Sequence, residues 1–238
     1  MNRQKKGKLY LIPTPLAENS LDKIITPELI KTITNLNYFL VENIRTARRF
    51  ISSLNIDVNI ENLHFQLLDK NTSQIDADQI CVPLLEGVDV GVMAEAGCPG
   101  IADPGNLAVS YAHRHDIQVI PLVGPSSIFM ALMASGFNGQ SFTFHGYLPI
   151  DKMKRINSIK SIEKEAVNKK QTQIFMETPY RNNQLLEDLI KNCQSGTKLC
   201  IAKNVSGAQE MIKTKPIKDW KKSRPDLHKV PAIFLIYG

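Results

Sequence analysis

Apolar residues in this chain fall in short runs separated by longer amphipathic stretches, and that alternation predicts the architecture. Leu9-Tyr10-Leu11-Ile12 is a run of strand formers halted by Pro13-Thr14-Pro15, which predicts a buried strand opening into a loop. Residues 27–33 carry apolar positions at helical spacing, with Thr26 as N-cap and Pro27 in the first helical position. Tyr38-Phe39-Leu40-Val41 predicts a second strand ending in Glu42-Asn43, residues 46–54 a helix, and residues 63–69 a short strand. A strand over 88–93 then leads into the loop Ala94-Glu95-Ala96-Gly97-Cys98-Pro99-Gly100. A helix over 106–113 and a strand over 117–121 follow. Near-continuous apolar strands alternating with helices predict a mainly parallel sheet covered on both faces.

Beyond residue 121 the pattern changes. Ser126 or Ser127 is placed to cap a helix over 128–135 that stops at Gly136. Strands are expected over 141–147, 173–177, 198–202 and 233–237, and helices over a charged stretch, 151–168, and over 182–192. The division expected is an N-terminal α/β domain, 1–121, and a C-terminal α/β domain, 122–238, with no internal repeat.

Composition narrows the class. The chain has 238 residues, 43% hydrophobic and 22% charged, which fits an ordinary globular protein and excludes a disordered or fibrous one. No apolar run reaches the roughly 18 residues needed to span a bilayer. The basic start, Met1-Asn2-Arg3-Gln4-Lys5-Lys6-Gly7-Lys8, precedes an apolar stretch that Pro13 and Pro15 end too early for a signal-peptide core. A cytoplasmic protein with no membrane partner is expected. Cys81, Cys98, Cys193 and Cys200 show neither C-x-x-C nor metal-like spacing to a His, and Cys81 and Cys200 sit in apolar runs as small hydrophobes. His64, His113, His115, His145 and His228 form no ligand pattern, so no metal is expected. Net charge is +6 and unevenly spread: residues 1–150 carry 11 Lys/Arg against 14 Asp/Glu, and residues 151–238 carry 18 against 9. Such a basic second lobe suits a polyanionic partner, although a solvated surface would look the same.

In a parallel α/β sheet, ligands bind at the carboxyl ends of the strands. Three informative segments fall there: Pro13-Thr14-Pro15, Glu42-Asn43-Ile44-Arg45 and Glu95-Ala96-Gly97-Cys98-Pro99-Gly100. Small residues after a strand let a ligand approach the backbone, though Gly and Pro also serve simply to turn a chain. G-x-G-x-x-G after the first strand, G-x-x-x-x-G-K-[ST] and G-x-S-x-G are all missing. What remains is a site that holds its ligand by backbone loops rather than through phosphate.

Taken in order, these segments resemble the tetrapyrrole methylase-like (class III) S-adenosylmethionine methyltransferases. Within them the chain is most similar to the bacterial branch that methylates a cytidine ribose 2′-hydroxyl in small-subunit ribosomal RNA. The matching residues run from Gly7 to Leu16, include Glu42 and Arg45, and continue over 96–105, 121–127, 146–149 and 177–181. Where that branch has Glu-Asp-Thr-Arg this chain has Glu42-Asn43-Ile44-Arg45, and Lys203-Asn204-Val205-Ser206-Gly207 replaces an Arg-Glu-Leu-Thr-Lys-like segment. Cofactor loops are mostly retained, and polar positions facing the acceptor differ.

The resemblance implies two α/β lobes with mainly parallel or mixed sheets, the cofactor in the cleft between them, and a homodimer. It implies S-adenosylmethionine as cofactor, bound by Leu16, Ala96, Gly97, Cys98, Ile101, Ser126, Ser127, Met176 and Val205. Ribosomal RNA or the small ribosomal subunit is the implied partner. Glu42 and Arg45 are the candidate catalytic residues, Glu42 as base with Glu177 a second; Arg45 and the substrate-binding candidate Arg181 are placed to grip RNA phosphates. Structural roles compete at several positions: core packing for Met176, helix capping for Ser126 and Ser127, and an ion pair with Arg45 for Glu42. Two other functions stay open: a class III methyltransferase acting on a tetrapyrrole or another acceptor, and an inactive relative that binds the cofactor or RNA.

Overall fold

Five short strands in the first half of the chain form one sheet in which every pairing is parallel. They are β1 (Leu9–Ile12), β2 (Tyr38–Val41), β3 (His64–Leu67), β4 (Val90–Met93) and β5 (Val119–Pro121), in the order β3-β2-β4-β1-β5. This is a computed structural model; it describes residues 5–238, and the first half of the basic N-terminal run, residues 1–4, lies outside the described residues. The inner strands β2 and β4 are apolar on both sides because helices cover both faces, whereas the edge strand β3 is largely exposed. On one face Ile12, Phe39, Val41 and Met93 pack with Leu29 and Ile33 of α1 (Pro27–Asn35) and with Phe50 and Ile51 of α2 (Ile44–Ser53). On the other, Leu40, Val90 and Val92 meet Ala77 of α3 (Gln74–Ile80) and Ala108, Tyr111 and Ala112 of α4 (Gly105–Arg114).

Local signals account for the helix ends. Thr26 Oγ1 accepts the Leu29 N–H at 3.1 Å and so caps α1. Helix α2 begins two residues earlier than the periodicity predicts because Asn43 Oδ1 accepts the N–H groups of Arg45 (3.0 Å) and Thr46 (3.2 Å). Helix α3 falls where no element is predicted. Only Ala77 is buried along it, so an apolar stripe is missing; its signal is the Ser73 cap, whose Oγ accepts the Asp76 N–H at 3.2 Å.

Contacts divide the chain after Pro125, and the second unit, Ser126–Gly238, closes a core of its own. Its elements are α5 (Ser127–Ser135), β6 (Phe142–Tyr147), α6 (Lys152–Lys169), β7 (Thr172–Met176) and α7 (Asn182–Asn192). They continue with β8 (Lys198–Lys203), β9 (Met211–Pro216), α8 (Ile217–Trp220) and β10 (Ala232–Tyr237). The sheet order is β6-β7-β10-β8-β9, with β6–β7 parallel and the other pairings antiparallel, so this sheet is mixed. Phe175 and Phe234 stack with centroids 6.0 Å apart, against Ile159 and Ile162 of α6, Leu185 and Leu189 of α7, and Trp220. The Trp220 indole N–H donates to the Leu199 carbonyl at 2.9 Å. A charged pair is buried in the same unit. Arg155 Nε donates to Asp188 Oδ2 at 2.9 Å, its Nη2 lies 2.7 Å from that oxygen, and its Nη1 donates to the Ile150 carbonyl at 2.7 Å.

Strand β9 also falls where no element is predicted. It lies at a sheet edge, where alternate positions need no apolar side chain: Lys213 is exposed, and Lys215 lays its ammonium over the Trp220 ring at 4.7 Å. Helix α5 stops at Gly136, whose φ is +74°, as expected. The expected capping at its start does not form. Ser126 occupies the N-cap position, but its side chain makes no capping bond. Among the described residues, no helix is long and apolar enough to cross a membrane.

Candidate functional site

All strands of the first sheet run the same way, so the segments leaving β1, β2, β4 and β5 emerge at one end. Two of them are stitched together. The Thr14 N–H donates to the Gly97 carbonyl at 3.0 Å and the Gly97 N–H to the Thr14 carbonyl at 3.1 Å, while the buried Thr14 hydroxyl donates to the Ala94 carbonyl at 3.2 Å. This bridge holds Gly97 at φ +84°, where a Cβ would stand 3.0 Å from Leu16 Cδ2 and 3.4 Å from the Pro125 carbonyl. Glycine is required twice here. Gly124, after β5, lies flat on Pro13, and a Cβ there would come within 2.1 Å of the proline Cβ. The Cys98 thiol donates to the Pro125 carbonyl at 3.2 Å. Loops after β1, β4 and β5 thus meet backbone to backbone. Leu16 and Cys98 are half-buried beside them, and Ala96 and Ile101 are exposed.

Two carboxylates organise this end. Asp103 Oδ1 accepts the N–H groups of Gly100 and Gly105, each at 2.7 Å, which closes the loop onto the start of α4. Its Oδ2 is buried without a hydrogen-bond partner, and burial raises this carboxyl above the ordinary aspartate value. Asp103 is not among the sequence-predicted site residues; its signal in the sequence is Asp followed by Pro-Gly, a turn former whose side chain binds backbone N–H groups nearby. At the end of β2, Glu42 Oε2 accepts the Glu95 N–H at 2.7 Å. Partial burial raises the Glu42 carboxyl, helped by the nearby charges of Asp103, Glu95 and Asp69 and opposed by the Glu95 hydrogen bond. The alternative role for Glu42, an ion pair with Arg45, is not what forms: the carboxylate bonds the β4 loop, and Arg45 is exposed on the first turn of α2. No group of three or more His, Cys, Asp or Glu among the described residues is arranged to hold a metal ion.

In the second unit Met176 is half-buried at the end of β7, and Glu177 follows it, buried. Glu177 Oε1 accepts the Thr178 N–H at 2.7 Å and Arg181 Nη2 at 2.6 Å. Arg181 therefore has a buried carboxylate as partner, and the hydrogen bond raises its pKa further. Val205 is buried in the turn after β8, where the Asn204 N–H donates to the Pro231 carbonyl at 3.0 Å. Ser126 and Ser127 are half-buried at the start of α5.

No protein-family model matches the chain. Individual proteins do. It is 31% identical over 235 residues to the ribosomal RNA small subunit methyltransferase I of Buchnera aphidicola subsp. Schizaphis graminum, an alignment covering 98% of this chain and 78% of that protein. It is 28% identical over 236 residues to the protein of the same name from Escherichia coli O157:H7, covering 98% and 78%. Among solved structures, the methyltransferase CobJ matches with a TM-score of 0.65 over 98% of this chain and 94% of its own, at 17% identity, which establishes a shared fold.

Proposed function

Because the chain belongs to the ribosomal RNA small subunit methyltransferase I family, we propose that this methyltransferase modifies a ribose 2′-hydroxyl of small-subunit ribosomal RNA with S-adenosylmethionine as donor. The residues present fit that donor. Gly97 and Gly124 let the loops after β1, β4 and β5 close on one another, with the apolar side chains of half-buried Leu16 and exposed Ile101 on those loops. Such a surface suits a ligand with a flat base, a cationic centre and an amino-acid tail. Leu16, Ala96, Gly97, Cys98 and Ile101 are assigned to it in the first unit. Ser126, Ser127, Met176 and Val205 are assigned to it in the second, and the hydroxyl of Ser126, which caps nothing, supports its share in that role.

When bound, the donor supplies a methyl group on a sulfonium that leaves readily. This chain's own work is alignment and proton handling. Glu42 is the proposed base. Its carboxylate would accept the proton that the attacking hydroxyl gives up, and its raised pKa brings it nearer the working pH. Arg45, exposed one turn away, offers a planar fork for an RNA phosphate. The observation that carries the reading is the Glu42–Glu95 bond, which ties the proposed base to the residue next to Ala96 and Gly97. RNA as acceptor is supported by the 18 Lys/Arg against 9 Asp/Glu of residues 151–238. We also propose a homodimer acting in the cytoplasm, where its ribosomal acceptor is found. Phe129 and Met133, one turn apart on α5 and 48% and 82% exposed, support a second copy as partner.

The test is incubation of the protein with a methyl-labelled donor and, in parallel, unmethylated small ribosomal subunits or a tetrapyrrole acceptor. Label on a ribose 2′-oxygen of the RNA is expected. Label on a tetrapyrrole instead, or donor binding without any transfer, would overturn the assignment.

A further inference from the structure

Two loops of the second unit, the one after β7 and the one before β10, are laced together beside one bare aromatic ring. Tyr180, between the end of β7 and the start of α7, is 71% exposed. The segment that carries it is nonetheless held on both sides. The Lys229 N–H donates to the Pro179 carbonyl at 3.0 Å, and Asn182 Nδ2 donates to the Val230 carbonyl at 2.6 Å. Asn183 Oδ1 accepts the Leu227 N–H at 2.8 Å. Asp226, the carboxylate of this loop, is engaged by Asn183 Nδ2 at 2.7 Å and by the His228 N–H at 3.0 Å. An ammonium group and an imidazole flank the ring. Lys229 Nζ stands 5.9 Å from its centroid, and the His228 ring meets it edge-on at 6.3 Å. The next residue, Arg181, is fixed by its bond to Glu177.

A large aromatic ring kept in water by a hydrogen-bonded loop buries too little to have a packing role, and the groups beside it are the Lys229 ammonium and the His228 ring rather than apolar side chains. A fixed ring beside a cation is how proteins receive an unpaired nucleotide: the base stacks on the ring and the cation meets the backbone. We infer that Tyr180 is a stacking platform for an unpaired base of the RNA acceptor, with Lys229 and Arg181 meeting the phosphates beside it. This rests on RNA being the acceptor, as proposed above. A protein partner could also use an exposed Tyr beside Arg; the Lys229 ammonium at the ring and the excess of Lys/Arg across residues 151–238 favour RNA.

The experiment compares Tyr180→Leu, which keeps apolar bulk but not a flat ring, with Tyr180→Phe, which keeps the ring. Methyl transfer to small subunits should show KM raised on the order of tenfold or more by Y180L, the range one stacked base supplies, with kcat and donor affinity retained and Y180F close to the parent. A role confined to loop structure would instead lower the unfolding midpoint and leave KM alone. A second readout does not need the acceptor reading. A single-stranded oligoribonucleotide carrying 2-aminopurine should be quenched by the parent and by Y180F, and not by Y180L. Quenching that depends on Tyr180 in a protein that methylates no ribosomal RNA would sink the proposed function and leave the platform standing. Normal methylation with KM and quenching unaltered in Y180L would overturn the platform, and a Y180L defect confined to capture of a protein would do the same.

Discussion

Glu42→Gln separates the proposed base from the scaffold that holds it. Gln keeps an oxygen facing the Glu95 N–H, so the 2.7 Å bond survives as a neutral one. Losing its charge-assisted part costs about 1 kcal/mol. Against this, the substitution removes a carboxylate that burial and the charges of Asp103, Glu95 and Asp69 all disfavour. The two effects oppose each other, and stability at neutral pH should change by no more than about 1 kcal/mol. A positioned base is worth about 10²–10⁴ in rate, so transfer should fall by about 100-fold or more while donor affinity holds. Single-turnover methyl incorporation, donor calorimetry and thermal unfolding read the three quantities separately. The pH dependence has a definite sign. A carboxyl whose native pKa is raised takes up protons on folding, so it costs nothing below its ordinary value and lowers stability as the pH climbs through the raised one. E42Q should therefore flatten the fall in stability between mildly acid and neutral pH. Unchanged turnover on small subunits would refute the assignment, and an activity loss matched by a lower melting temperature would reduce Glu42 to a scaffold residue.

Gly124→Ala places a Cβ within 2.1 Å of Pro13, so the loops after β1 and β5 must part. Overpacking of this kind costs about 1–3 kcal/mol, and the variant should melt several degrees lower and bind the donor more weakly; parent-like values in both measurements would contradict the packing described. Arg155→Met leaves Asp188 buried without its partner and should cost about 3–5 kcal/mol in chemical denaturation, most of it recovered by adding Asp188→Leu. Additive losses in the double variant would contradict that origin. Burial pushes the Cys81 thiol up to about 12 and raises Cys193 and Cys200 as well. In the native protein at pH 8 a thiol reagent should reach only the half-buried Cys98, with all four reacting after denaturation; rapid labelling of a second thiol in the folded state would count against the cores described.

The first sheet was legible because its inner strands are short apolar runs, and helix α7 occupies the predicted 182–192 because Leu185, Leu186, Leu189 and Ile190 recur at helical spacing on its buried side. Elements that bury little escaped. Helix α3 sinks only Ala77, and β9 alternates Lys with small or apolar residues at an edge, so neither shows the periodicity of a buried face. Site geometry was harder still. The Glu42–Glu95 bond joins residues 53 apart, and the Thr14–Gly97 bridge joins two loops after different strands; local spacing encodes neither. Residue type marked Ser126 and Arg181 as polar groups of interest but not their partners. One proves to cap nothing, and the other is held by a buried glutamate.

Strand β9 pairs with β8 on one side only, and Lys213 projects into water along it. An ammonium group on an open strand repels any further strand that would add to the ladder. Part of the second unit's positive charge therefore guards against edge-to-edge strand pairing at β9, and a lysine tally overstates how many counterions nucleic acid can displace. Neutralising Lys213 should show itself in turbidity and sedimentation before it alters the salt dependence of RNA affinity.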